Sequence, residues 1–347
     1  MVTPARAGPG DTAGMDEQLA AYARSAFGLD GADPTEVTAG ARGALGQIWR
    51  VEVGTRRYAL KEIFGDDGTV PPALVEAELD FSRLATATGV RLPASHPDRD
   101  GRYLVPMPSG AGWLRLYEWV DLRPVAMPAA AADLGVLLAR LHRCAPAAVQ
   151  EPDGAEPDPW YDRTPPIPDW TPLVAAAREA GVWWAPRLAE VVGALPALCA
   201  PVTAADPAGT VLCHRDLHPE NVLVDASSGE LVVVDWDNLG PADPGRELAR
   251  VLFDWYVEDG HADLDAIRRT CEAYVRAGGP GRIGEVSDFS MLVACRLNFL
   301  RVQVRVALDP AAEQRHRDWA EREIEEALRL VPTPRLLADV LETVRPL

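Results

Sequence analysis

The chain has 347 residues, 34 Lys+Arg against 52 Asp+Glu, and a formal net charge of −18. Apolar content of 48% and charged content of 25% fit a globular protein with two lobes, each large enough to bury a core. The acidic balance argues against a general nucleic-acid binder and against docking on anionic lipid, both of which need a basic face, and leaves a cationic substrate open.

Residues 1–14 are rich in Gly, Pro and Ala and read as a disordered extension, with Met15 as an alternative start. They have no apolar core, so no signal peptide is expected. Asp16 to Phe27 reads as a short helix. From Thr38 to Phe64 the period changes to that of strands, with Gly40, Gly43 and Gly46 punctuating a turn and Gly54-Thr55 reversing the chain. Pro71-Pro72 opens a helix that stops at Gly89. Tyr103–Pro106 and Trp113–Val120 read as two further strands. After Pro124 the pattern is helical. Leu134, Leu137, Leu138 and Leu141 share one face of a buried helix, and Leu173 to Cys199 is helical with a break at Pro186. The acidic, Pro-rich stretch from Ala145 to Pro172 is too long for a tight connection. Helices continue from Gly245 to about Leu330 and from about Thr333 to Val344. The expected class is α+β: an extension at 1–14, a first lobe at 15–121 with a small antiparallel sheet and one helix, and a larger helical lobe at 122–347.

Five cysteines, an odd number with no C-x-x-C pair, give neither a disulfide framework nor a zinc site. They read as free thiols in a reducing cytoplasm. No stretch of 18 uncharged apolar residues is present, so no membrane span is expected.

The most informative segment runs from Val211 to Asp235. His214, Asp216 and Asn221 have the spacing H-x-D-x-x-x-x-N. Val222–Val224 and Leu231–Val234 are matched apolar runs about a short turn, which predicts a hairpin in which Asp225 pairs with Glu230. Asn221 and Asp235 then emerge together at its open end. An amide oxygen and a carboxylate are hard ligands suited to Mg²⁺ held jointly with nucleotide phosphates. Asp216, in the loop just before the hairpin, suits a base that orients a hydroxyl.

This segment resembles the aminoglycoside phosphotransferase/choline kinase family, similar in fold to protein kinases, and the resemblance extends as an ordered series of motifs over residues 38–255. It implies a two-lobe kinase-like fold and transfer of the γ-phosphoryl group of ATP to a hydroxyl of a small molecule. It implies further that Asp216 is the catalytic base, that Asn221 and Asp235 bind Mg²⁺, and that Lys61 contacts the ATP phosphates. Lys61 is the one lysine among 34 basic residues, in the strand Tyr58–Ile63. A buried strand lysine needs a partner charge; Glu76 and Glu78 on the following helix are candidates, and counting back from Gly89 favours Glu78. The turn containing Gly43 and Gly46 would cover the phosphates with backbone N–H groups. The backbone at Glu118, Trp119 and Val120 would receive adenine. His214 packs under the loop in related folds. Glu247, in the family's continuation after Asp243-Pro244, braces the catalytic loop or simply starts a helix.

Only seven residues separate Asp235 from Asp243, too few for the segment on which a protein kinase docks a polypeptide. The acceptor is therefore expected to be a small molecule. Carboxylates in the loop at 151–169 and in the helices would attract a polycation, and tryptophans could box an amine. Asp254, Trp255, Glu258 and Trp160 are the candidate acceptor residues. An aminoglycoside or amino-sugar antibiotic is the favoured acceptor, with choline, ethanolamine, homoserine or a sugar as rivals and a non-catalytic nucleotide-binding regulator as the other class. A monomer or a homodimer is expected.

Overall fold

The computed structural model describes residues 12–29, 35–42, 46–64, 72–107, 112–127, 130–146 and 158–345. Of the extension expected at 1–14, residues 1–11 lie outside the described residues, and the first helix, α1 (Thr12–Phe27), takes in Thr12 to Gly14. The chain divides into two units. One comprises residues 1–86, 91–123 and 224–234; the other comprises residues 87–90, 124–223 and 235–347.

The first unit is built on an antiparallel sheet of β1 (Thr35–Arg42), β2 (Gly46–Val53), β3 (Arg56–Phe64), β4 (Ser95–His96), β5 (Val105–Pro106) and β6 (Gly112–Glu118). The strands lie in the order β1-β2-β3-β6-β4, with β5 also on β6. β1 reaches Arg42 through a register irregularity between Ala39 and Arg42, which shortens the expected glycine turn. Alternation along the strands separates two faces. Trp49, Val51, Tyr58, Leu60, Leu114 and Leu116 fall on one of them and pack with Leu19, Ala23 and Phe27 of α1. The register pairs Leu60 with Leu116 and Lys61 with Arg115, so the two cations share the opposite face. α2 (Pro72–Ala87) follows β3, as the sequence predicts. β7 (Leu122–Arg123) pairs with Val224 and Asp225, so the hairpin predicted from the central motif groups with this unit and the boundary falls after Arg123. That pairing links segments a hundred residues apart in sequence, which strand patterning alone does not reveal.

In the second unit, α3 (Ala131–Cys144) buries Leu134, Leu137, Leu138 and Leu141. α4 (Pro159–Asp162) begins the described part of the acidic stretch. The helix expected from Leu173 to Cys199 is two helices, α5 (Trp170–Glu179) and α6 (Ala185–Cys199), with Pro186 in the first turn of the second, where its missing N–H costs nothing. β8 (Val211–Cys213) leads into the motif; of the hairpin strands that follow, β9 (Val222–Asp225) and β10 (Leu231–Val233), residues 224–234 belong to the first unit. The Asp225 N–H donates to the Glu230 carbonyl at 2.9 Å, the predicted pairing. β11 (Gly240–Ala242) pairs back on β8. α7 (Pro244–Tyr256) follows, capped by the Asp243 carboxylate. The hairpin of β12 (Val257–Glu258) and β13 (His261–Ala262) precedes α8 (Leu264–Arg276). Gly135 on α3 allows α8 to approach; a Cβ there would strike the Thr270 carbonyl. α9 (Ser290–Leu308), α10 (Gln314–Leu330) and α11 (Pro334–Val344) complete the unit. Among the described residues no helix is long and apolar enough to cross a membrane.

Candidate functional site

The β8–β9 loop carries Asp216 into a dense polar cluster. Its Oδ1 accepts from Arg250 Nη2 at 2.5 Å. Its Oδ2 accepts from Asn238 Nδ2 at 3.0 Å and from Asn221 Nδ2 at 3.3 Å, and His218 Nε2 stands 3.7 Å away. Burial alone would raise the pKa of this carboxyl. His218 and Arg250 outweigh burial and hold it well below the usual carboxylate range. Burial lowers the His218 pKa, and its pairing with Asp216 more than reverses that. Asn221 also donates to the Asp216 carbonyl at 2.9 Å, which commits its amide nitrogen to the loop and directs its amide oxygen elsewhere.

The loop is braced from below. Its backbone at Arg215 has φ of 64°, a left-handed conformation that a non-glycine residue holds only when its surroundings enforce it. Glu247, 1% exposed, accepts the Arg215 N–H and also accepts from His142 Nε2 at 2.6 Å. Burial would raise the Glu247 pKa, but the hydrogen bond from His142 outweighs it and brings the pKa below the ordinary value. His142 Nδ1 lies 2.8 Å from the Tyr274 hydroxyl, which itself accepts the Gly281 N–H at 2.8 Å. The Arg215 side chain donates to the Asn238 carbonyl at 2.6 Å and stacks 3.9 Å over the Tyr161 ring. Gly240 makes room for it, since a Cβ there would strike the guanidinium. Trp255 Nε1 donates to the Leu217 carbonyl at 2.7 Å. Asp235 follows β10 with φ of 61° and an exposed side chain. The short 3₁₀ turn Trp236–Asn238 after it carries Asn238 to Asp216. His214 is buried, its ring 4.7 Å from that of Trp236.

A carboxylate inside a hydrogen-bonded cage can accept a hydrogen bond from a hydroxyl, and amide and carboxylate oxygens such as those of Asn221 and Asp235 are of the donor type that suits a hard cation. The family model described as "Phosphotransferase enzyme family" matches residues 36–282. The chain belongs to that family. As a member it is a phosphotransferase acting on hydroxyl groups of small molecules.

No curated protein matches the chain in sequence. Solved structures resemble it in fold. Spectinomycin phosphotransferase in complex with ADP and spectinomycin is similar at 13% identity and a TM-score of 0.59, over 91% of this chain and 97% of that one. Amicoumacin kinase with AMP-PNP and Ca²⁺ gives 17% and 0.61, over 92% and 95%. A microcompartment-associated aminopropanol kinase gives 20% and 0.58, over 95% and 99%. At these identities the likeness establishes the fold, α+β and kinase-like.

In the first unit, Lys61 is 9% exposed on β3 and Glu78 is 4% exposed on α2. The carboxylate of Glu78 is gripped by Arg115, Nη1 to Oε2 at 2.5 Å and Nη2 to Oε1 at 2.9 Å. Glu76 is exposed. Arg115 is thus a cation of this cluster that the sequence reading did not name. Gly43 lies outside the described residues. Gly46 sits against the Glu62 carbonyl of β3, where a Cβ would collide, so close strand pairing alone requires a glycine there. The Glu118 side chain is held by Arg91 at 2.9 and 3.0 Å, and Trp119 Nε1 donates to Asp121 at 2.8 Å.

The fold engages three of the four acceptor candidates in contacts of its own. Asp254 does not present a free carboxylate. Its side chain is 3% exposed, with Arg250 Nε at 3.3 Å from one oxygen and Arg296 Nη2 at 2.5 Å from the other. A lone buried charge is costly, and the fold places two guanidinium groups around this one. Trp255 is engaged with the β8–β9 loop, and the Trp160 carbonyl accepts from Asn298 at 3.1 Å while its side chain packs against the cluster of Tyr161, Cys213 and Met291. Glu258 is exposed on β12. Of the loop carboxylates, Glu151, Asp153 and Glu156 lie outside the described residues, Asp162 is buried 3.6 Å from Arg246, and Asp169 pairs with Arg301 at 3.1 Å.

Proposed function

We propose that this phosphotransferase uses ATP and moves its γ-phosphoryl group to a hydroxyl received by Asp216. The observation that carries the reading is the Asp216 carboxyl group caged by Arg250, Asn238 and Asn221. Such a group with so low a proton affinity is a better aligner of the hydroxyl than a strong base. A loose transition state suits that, because transfer then depends on positioning and electrostatics. Lys61, fixed in β3, would contact the phosphates, and Glu78 with Arg115 would hold the adjoining helix; the Glu118–Val120 backbone would take the adenine.

The donor chemistry fits Mg²⁺. Asn221 has its nitrogen committed to Asp216 and its oxygen available, and Asp235 offers an exposed carboxylate. A divalent cation held by these two would neutralise phosphate charge.

The charge pairing favours an acceptor with one amine or none, an amino alcohol or a sugar, over a polycationic aminoglycoside. Asp254, Asp162 and Asp169 each face an arginine, so they add little net attraction for a polycation. The test is ADP release across aminoglycosides, amino alcohols and sugars, with Asp216→Asn as control. Wild-type turnover with amino alcohols or sugars, lost in the variant, is expected. Equal turnover in wild type and variant would sink the assignment of Asp216. Turnover confined to aminoglycosides would sink the acceptor class.

A further inference from the structure

Arg250 has no counterpart in the motif reading, yet it is the residue that touches Asp216 most closely. All three of its guanidinium nitrogens are engaged. Nη2 donates to Asp216 Oδ1 at 2.5 Å, Nη1 donates to the Arg215 carbonyl, and Nε lies 3.3 Å from Asp254 Oδ2. A planar fork held at three points cannot rotate. Asp254 is fixed in turn by Arg296 at 2.5 Å. The result is an alternating row of charges, Asp216–Arg250–Asp254–Arg296, of which Arg250 and Asp254 are one turn apart on α7.

The row decides which oxygen is open. An ionised carboxylate has about four lone-pair sites. On Asp216, Asn238 and Asn221 occupy Oδ2, and Arg250 occupies one site of Oδ1. The remaining site is on Oδ1, beside the guanidinium.

We propose that Arg250 is a positioning residue which aims Oδ1 of Asp216 at the acceptor hydroxyl, and that Asp254 and Arg296 act on the reaction through it. The proposal rests on the reading that Asp216 receives that hydroxyl. It places the specificity for hydroxyl geometry in a helix that follows the motif, and it gives Asp254 a role in place of acceptor binding.

The test is steady-state kinetics with ethanolamine, choline, homoserine, glucose and kanamycin as probe acceptors. Arg250→Lys, Asp254→Asn, their double variant and Asp216→Asn are compared with wild type. Lysine keeps the charge but cannot make the three-point hold. Arg250→Lys should lower kcat about 100-fold, the effect of misplacing a reacting group by an ångström, with KM for ATP changed less than about twofold. Asp254→Asn should lower kcat about 10-fold, and the double variant should be no slower than Arg250→Lys, because the two act in series. Melting temperatures near wild type would show that these losses are not unfolding. Arg250→Lys turning over within about threefold of wild type while Asp216→Asn is dead would overturn the proposal alone. Strict additivity in the double variant would also overturn it. A fully active Asp216→Asn would overturn the parent reading instead, as would wild type turning over none of the probes.

Discussion

Glu247→Ala probes the brace under the β8–β9 loop, which carries Asp216. The carboxylate is 1% exposed and accepts two buried donors, the Arg215 N–H and His142 Nε2. The Tyr274 hydroxyl takes the Gly281 N–H and has its own proton to give to His142 Nδ1, so the imidazole presents Nε2–H to Glu247. Alanine leaves both donors without an acceptor. At about 1–3 kcal/mol for each orphaned buried group the loss is roughly 2–6 kcal/mol. Removing one partner of a buried pair, about 3–5 kcal/mol, falls within the same range. Glu247→Gln keeps one carbonyl acceptor and should lose about 1–3 kcal/mol. Since Arg215 is held at φ of 64° next to Asp216, kcat should also fall, by about 100-fold in the alanine variant. Urea unfolding followed by tryptophan fluorescence, with turnover measured on the same samples, checks both. The pH dependence has a definite sign. The folded pKa of Glu247 is depressed, so its contribution is present above the unfolded value near 4.5 and is lost as pH falls through the folded one. The gap between wild type and Glu247→Gln should therefore narrow below about pH 4. A Glu247→Ala variant within about 1 kcal/mol of wild type, with kcat within about threefold, would refute the reasoning.

Lys61→Arg should keep the fold and lose most turnover. The wider guanidinium must fit beside Arg115 on a buried face, at a cost of about 1–3 kcal/mol, and cannot replace a compact ammonium at phosphate; near-normal turnover would count against a phosphate contact. Trp255→Phe removes the indole N–H from the Leu217 carbonyl and should cost about 1 kcal/mol, with kcat down about 10-fold and acceptor KM little changed. A rise in acceptor KM alone would restore Trp255 to acceptor binding. Of the five cysteines, burial pushes Cys213 far up, Cys271 to about 12 and Cys295 to about 11. A thiol reagent should therefore titrate the two half-buried ones, Cys144 and Cys199, in the native protein and all five after denaturation. More than two fast native thiols would contradict this burial.

The sequence by itself determined what is local. The spacing of Asp216 and Asn221, the apolar runs of the hairpin and the pairing of Asp225 with Glu230 are all set within a few residues, where strand period and turn length decide the geometry. The stripe on α3 and the alternation that puts Lys61 opposite the apolar face of its sheet were legible for the same reason. Even Arg250 left a trace, since Glu247, Arg250 and Asp254 recur at a helical spacing and lie on one face of α7.

Only the tertiary structure decided which charges meet. Arg250 comes to Asp216 from 34 residues away, Asn238 from 22, and Arg115 reaches Glu78 across 37. Asp254 read as an open carboxylate because a sequence carries the sign of a charge but not its neighbours; the fold placed two arginines around it. Desolvation makes an unpaired buried charge expensive, so the chain must supply such partners. Which distant residue supplies each is fixed by helix packing and sheet register, properties of the whole fold.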